Sequence, residues 1–183
     1  MASPRKGDWV LKLAVLGDAG VGKTSLVNQF VEDKFKEDYR ATMGVNIVIK
    51  NMQLEEIQSR VRLILWDIAG QEQYEKTRGA YYEGCAGALL VYDITRYSSF
   101  ENIEFKWLAD YKAHVEKPGS LILIGNKNDL SDQRYVYKED SNQLAERINA
   151  VEFIETSAKD GTNVENAFIH IVHDILGHYG VKF

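Results

Sequence analysis

Short apolar runs alternate along the chain with longer stretches that carry apolar residues at helical spacing. The runs are Trp9 to Leu16, Val45 to Lys50, Val61 to Trp66, Gly87 to Tyr92, Leu121 to Gly125 and Val151 to Glu155. Two of them, Ala88-Leu-Leu-Val-Tyr92 and Leu121-Ile-Leu-Ile124, are apolar throughout, as strands covered on both faces must be. The polar segment from Gln53 to Arg60 leaves no room for a helix, so the second and third runs form an antiparallel hairpin at the sheet edge. Helical spacing covers Lys23 to Val31, Tyr74 to Glu83, Phe100 to Glu116, Lys138 to Ile148 and Val164 to His178. In the last, Val164, Ala167, Phe168, Ile171, Val172, Ile175 and Tyr179 make a stripe that docks on the sheet. The pattern predicts an α/β fold with a six-stranded, mostly parallel sheet, one antiparallel edge strand and five helices. A single domain spans 8–178, and 1–7 and 179–183 are short flexible ends.

Composition narrows the partners. In 183 residues there are 22 Lys and Arg against 27 Asp and Glu, a net charge of -5, which opposes electrostatic binding of nucleic acid. The expected partners are small molecules and proteins, and the expected state is a monomer. One cysteine, Cys85, forms no internal disulfide and suits a reducing, cytoplasmic setting; between Gly84 and Ala86 it reads as packing. No apolar run approaches the roughly 18 residues of a membrane span. The start has no apolar leader and no glycine at position 2, and the end has no cysteine for a lipid, so no membrane anchor is visible in this chain.

The segment Gly17-Asp-Ala-Gly-Val-Gly-Lys-Thr24 fits G-x-x-x-x-G-K-[ST] between a strand and a helix. Such a loop turns the N–H groups of Asp18, Ala19, Gly20, Val21, Gly22, Lys23, Thr24 and Ser25 toward phosphate oxygens at a helix N-terminus. Gly17 and Gly22 let the backbone wrap the phosphate. Lys23 supplies charge to the β- and γ-phosphates, and the Thr24 hydroxyl takes one Mg²⁺ position. Kinases, ATPases and GTPases all remain open at this stage.

Gly125-Asn-Lys-Asn-Asp129 ends a buried strand, where open α/β sheets bind ligands. A carboxylate at Asp129 can accept from N1–H and the exocyclic amine of guanine, which adenine cannot match. Asn126 and Lys127 accompany it, and Thr156-Ser-Ala-Lys159 brings Ser157, the Ala158 N–H for the guanine carbonyl, and Lys159. In Trp66-Asp-Ile-Ala-Gly-Gln-Glu72, Asp67 would hold Mg²⁺ through water, Gly70 would offer an N–H to a γ-phosphate, and Gln71 would orient the attacking water.

In this order and spacing GDAGVGKT, WDIAGQE, NKND and SAK resemble the Ras superfamily of small GTPases across residues 8 to 178. The wording of Tyr39-Arg-Ala-Thr-Met-Gly-Val45, Ala80-Tyr-Tyr82 and Gly87-Ala-Leu-Leu-Val-Tyr-Asp-Ile-Thr95 is most similar to the Rab branch. The resemblance implies a three-layer GTPase fold that binds GDP or GTP with Mg²⁺ and slowly hydrolyses GTP as a timed switch, in membrane trafficking. It makes Gln71, Lys23, Thr42 and Gly70 the catalytic set, and Thr24, Thr42 and, through water, Asp67 the Mg²⁺ set. Phe35 would pack over the base or ribose, and Tyr39 would close over the phosphates. Effectors, exchange factors and activating proteins would read residues 35–50 and 67–82.

The chain departs from the Rab pattern in several places. Ile47 stands where Rab proteins place a phenylalanine beside the aromatics that match Trp66 and Tyr81. Ala19 carries a methyl group that can crowd an activating arginine, so a GTP-loaded interaction module with negligible hydrolysis is the alternative reading. Arg40 reads as a solvated arginine near Thr42. Rab proteins end in a lipidated tail, so membrane association is expected only if such a tail has been removed. His170, His173 and Asp174 read as a solvated helix face, and Asp93 and Thr95 as strand-end caps.

Overall fold

The computed structural model describes residues 7–34, 42–71 and 75–183. Phe35, Tyr39 and Arg40 lie outside the described residues. Six strands, β1 (Asp8–Leu16), β2 (Val45–Leu54), β3 (Ser59–Ile68), β4 (Gly87–Asp93), β5 (Ser120–Asn126) and β6 (Glu152–Thr156), form one sheet in the order β2-β3-β1-β4-β5-β6. Only the β2–β3 pair is antiparallel. Its hairpin turns through a short 3₁₀ segment, Glu55–Ile57, closed by Gln58 at φ 49°.

Period-two alternation sends neighbouring strand residues to opposite layers. Leu13, Val15, Leu89, Val91, Ile122 and Ile124 pack with helices α1 (Lys23–Glu32) and α6 (Val164–His178), where Phe30 stacks on Phe168 at 3.9 Å between ring centroids. Ala14, Leu16, Ala88, Leu90, Leu121 and Leu123 face the other layer, built from α2 (Glu75–Tyr82), α3 (Tyr97–Asn102), α4 (Ala109–His114) and α5 (Lys138–Ile148). The apolar stripe expected on the last helix is buried at Val164, Ala167, Phe168, Ile171, Val172 and Ile175, whereas Tyr179 is exposed and lies against Trp9. His173, expected to be solvated, stacks on Phe183 at 3.9 Å.

The helix expected over Phe100 to Glu116 is instead a run that begins at Tyr97, widens into a π-helical segment over Ile103–Leu108 and ends at His114, giving six α-helices among the described residues. The periodicity reading missed the widening because its cause is tertiary. Asn102 and Trp107, at the two sides of the widened turns, both donate to the Asp18 carboxylate, at 2.8 and 2.7 Å. A π segment at such a place is a recurrent companion of functional sites.

Helix α2 is docked on α4 by a buried polar cluster. Arg78 is fully buried, its Nε 3.2 Å from Asp110 Oδ2, and its guanidinium lies over Trp107 at 4.6 Å. None of its three nitrogens makes an aligned hydrogen bond among the described residues. The Tyr82 hydroxyl donates to the same Asp110 oxygen at 2.7 Å. A Cβ on Gly79 would meet the His114 ring at 2.3 Å, so the two helices approach closely there.

Removing the carboxylate leaves the Arg78 charge buried and unpaired. Asp110→Ala is expected to lower stability by about 3–5 kcal/mol in urea unfolding. Arg78→Met combined with Asp110→Ala loses less than the single change; a double variant that loses more would contradict this account.

Candidate functional site

Strands β1, β3, β4, β5 and β6 end at one edge of the sheet, and the loops that follow them meet there, beside the point where strand order reverses around β1. The loop after β1 is held by its carbonyl groups. The Lys23 ammonium donates to the Gly17 and Asp18 oxygens at 2.7 and 2.8 Å, and Arg96 Nη2 donates to the Ala19 oxygen at 2.7 Å. Asn126 Nδ2 donates to the Val21 oxygen at 2.9 Å, and the Leu26 N–H to the Gly22 oxygen at 2.8 Å. All five bonds take carbonyl oxygens, the arrangement that leaves a loop's amides available to an anion.

Glycine is required at two of these positions. A Cβ on Gly17 would lie 2.0 Å from the Val91 oxygen, and one on Gly22, at φ 96°, would lie 2.3 Å from Asn126 Nδ2. Lys23 is buried, and burial pushes its ammonium down to about 8; Asp67 and Asp18 oppose that fall, while Arg96 and Arg78 add to it. Ser25, half-buried, begins the first turn of α1 behind Thr24.

Thr24, Thr42 and Asp67 come from three distant segments and meet in one cluster. The Thr24 hydroxyl donates to Asp67 Oδ2 at 2.6 Å and lies 2.7 Å from the Thr42 hydroxyl, which therefore donates to it. Asp67 is fully buried, and burial raises its carboxyl, partly offset by the Thr24 bond and the Lys23 charge. Its Oδ1 is buried without a partner among the described residues. An orphan carboxylate oxygen beside two hydroxyls fits a hard, oxygen-seeking cation. Among the described residues no three His, Cys, Asp or Glu side chains cluster, so such a cation would complete its shell with other oxygens, from water or a bound phosphate.

Gly70 lies against the loop: a Cβ there would sit 2.3 Å from the Ala19 nitrogen and 2.7 Å from the Gly17 oxygen. Gln71 follows it, half-buried, at the head of the segment that leads to α2.

At the far end of the site Asn126 joins three loops. Besides bonding Val21, its Oδ1 accepts from the Thr156 hydroxyl at 3.0 Å and the Ala158 N–H at 3.2 Å. Both ends of this side chain, expected at the base, are thus used inside the protein. The Ser157 hydroxyl donates to Asp129 Oδ1 at 2.7 Å, with Asp129 itself exposed. Lys127, at φ 71°, pairs with Asp93 Oδ2 at 2.5 Å, and Lys159 is exposed. Arg134 braces this end, donating to the Glu155 carboxylate and to Asn128 Oδ1 at 3.3 Å.

Four residues of this assembly were not legible as site residues: Arg96, Asn102, Trp107 and Asp93. Arg96 and Asp93 stand at the carboxyl end of β4, where the switch-point rule directs attention. Asn102 and Trp107 carry no local signal, because only the fold brings their helix to Asp18. Asp93 does cap its strand end, accepting from the Thr95 N–H at 2.9 Å and hydroxyl at 2.7 Å, and it also holds Lys127. Cys85 behaves as packing, its thiol pushed up to about 11 by burial. No helix of the described residues is long and apolar enough to cross a membrane.

Residues 12–177 match the model of the Ras family. The chain is 45% identical over 177 residues to Ras-related protein RABA4b of Arabidopsis thaliana, covering 97% of this chain and 77% of that protein. It is 41% identical over 175 residues to Ras-related protein Rab-10 of Diplobatis ommata, 96% of this chain and 86% of that one. To Ras-related protein Rab11B of Nicotiana tabacum it is 41% identical over 168 residues, 92% and 76% of the two chains.

Asp93 provides a pH-dependent check on the architecture. Burial would raise its carboxyl, but the bonds from Lys127 and Thr95 outweigh burial and hold it below the ordinary 3.8. A depressed folded-state value stabilises above the unfolded value and is lost as pH falls through the folded one. Asp93→Asn is therefore expected to lower stability by about 1.5–3 kcal/mol at pH 7, and the gap to wild type should narrow in urea titrations below pH 3.8. A gap that widens on acidification would contradict this assignment.

Proposed function

The chain belongs to the Ras family of small GTPases, most similar to its Rab branch, and from that premise we propose that it is a guanine-nucleotide switch acting in membrane trafficking. In this reading residues 8–178 are one GTPase domain that binds GDP and GTP with Mg²⁺ and hydrolyses GTP slowly. The observation that carries it is the junction of Thr24, Thr42 and Asp67, where three segments named by the sequence motifs converge within hydrogen-bonding distance.

The loop amides between Asp18 and Ser25 bind the phosphates, and Lys23 exchanges the Gly17 and Asp18 carbonyls for phosphate oxygens. Thr24, Thr42 and Asp67 are the residues that would hold Mg²⁺, which when bound would neutralise charge on the phosphates. Gly70, packed against Ala19, directs its N–H to the γ-phosphate, and Gln71 orients the attacking water. Asp129 reads the guanine edge beside Ala158 and Ser157, while Lys127, Asn126 and Lys159 shape and flank that end. The family resemblance assigns Phe35 to the nucleoside and Tyr39 to the phosphates; both lie outside the described residues. Loss of the γ-phosphate removes the contacts of Thr42 and Gly70 and changes the surface that partners read.

That surface includes the open face of β2 and β3. Trp66 lies 5.8 Å from Tyr81 and under the Lys12 ammonium at 3.9 Å, and Ile47, paired in register with Trp66, is 49% exposed. Effectors, exchange factors and activating proteins dock here, and Ile47 in place of a ring makes the partner set differ from that of aromatic-rich relatives.

Competition calorimetry with Mg²⁺ is expected to give micromolar or tighter binding of GDP and GTP and at least about a hundredfold weaker binding of ATP, since a site that pairs with donor groups rejects a base lacking them. Equal affinity for ATP would overturn the assignment. In single-turnover assays Gln71→Leu should slow hydrolysis about tenfold or more. Equal rates would leave a GTP-loaded interaction module as the function.

A further inference from the structure

Arg96 leaves β4 at the N-cap of α3, and its backbone is fixed on both sides. Its N–H donates to the Asp93 oxygen at 2.9 Å, and its own carbonyl accepts from the Ser99 N–H at 3.0 Å and hydroxyl at 2.7 Å. From this stem the side chain crosses to the phosphate-binding loop. Nη2 donates to the Ala19 oxygen at 2.7 Å, and Nη1 lies 3.8 Å from where a Cβ on Gly20 would stand. Nε is buried and has no partner among the described residues.

The guanidinium thus stands at the loop with one of its five donors engaged among the described residues. A mere clip for one carbonyl would need a single amide or hydroxyl and would not strand a buried donor, which is costly. Its charge is also felt at Lys23, with which it shares the loop. The fully buried Arg78, by contrast, is paired with Asp110.

We propose that Arg96 is a built-in catalytic arginine, which leaves the Ala19 carbonyl when GTP fills the loop and takes charge from the γ-phosphoryl group in the transition state. The proposal rests on the reading of the loop as a GTP site. In the step, water attacks the γ-phosphorus and the bond to the β–γ bridging oxygen breaks. The electron pair stays on that oxygen of GDP, and the water's oxygen and both its protons leave in inorganic phosphate. Arg96 gains and loses no atoms; its planar fork matches two oxygens of the moving group.

The test uses the whole purified chain with Mg²⁺, as wild type, Arg96→Met and Arg96→Lys, with no partner protein. GDP affinity, single-turnover hydrolysis of preloaded GTP and binding of fluoroaluminate, a mimic of the moving phosphoryl, to the GDP form are measured. Wild type is expected to hold fluoroaluminate unaided. Arg96→Met loses it and slows hydrolysis at least about tenfold, with GDP affinity changed less than about threefold. Arg96→Lys, a point charge without the fork, recovers part of the rate. The proposal is overturned if the Met variant hydrolyses as wild type does, if rate and GDP affinity fall together, or if wild type binds GDP yet takes no fluoroaluminate. Wild type that binds no guanine nucleotide overturns the nucleotide reading itself.

Discussion

A loop whose carbonyls are held elsewhere turns its amides toward an incoming anion, and the organisation of this molecule follows from that arrangement. The carbonyls from Gly17 to Gly22, Gly20 aside, are each taken by a donor: a buried lysine, an arginine from the end of β4, an asparagine from the end of β5 and the first turn of α1. The parallel strands are what bring these donors together, because their carboxyl ends lie at one edge of the sheet. The Asp18 side chain is fastened as well, by Asn102 and Trp107 on the π-widened turns of the neighbouring helix run.

The same tethers make the loop a junction. Asn126 ties it to the Thr156–Ala158 segment, so the two ends of the candidate site share one side chain. Thr24 ties it to Thr42 and Asp67, and Gly70 fits against it with no space for a Cβ. A ligand that displaces the Thr24–Asp67 bond, or that draws Lys23 off its carbonyls, acts on groups belonging to several elements at once. On the proposed reading, nucleotide state would alter the surface around β2, β3 and α2 through these shared groups.

The strands were legible because alternation and continuous apolar runs follow from burial on one or two faces, and Ala88 to Tyr92 and Leu121 to Ile124 appear as central strands on those grounds. The loop from Gly17 to Thr24 and the motifs around Asp67 and Asp129 were legible because their chemistry is concentrated in a few adjacent residues. What was not legible depends on contacts between remote segments. The π turn at Ile103–Leu108 serves a carboxylate on another element, the Arg78–Asp110 pair forms only when α2 meets α4, and Arg96 looks like any helix-start arginine until β4 is placed beside the loop. Asn126 was legible as a site residue, but its bonds to two other segments at once could be read only from the fold.

The central claim is that this tethered loop holds a guanine nucleotide. Releasing nucleotide from the freshly purified chain by denaturation and identifying it by chromatography tests that claim without added ligand. The account predicts GDP or GTP at close to one per chain. Adenine nucleotide in its place, or an empty protein that takes up no labelled GTP with Mg²⁺, would contradict it.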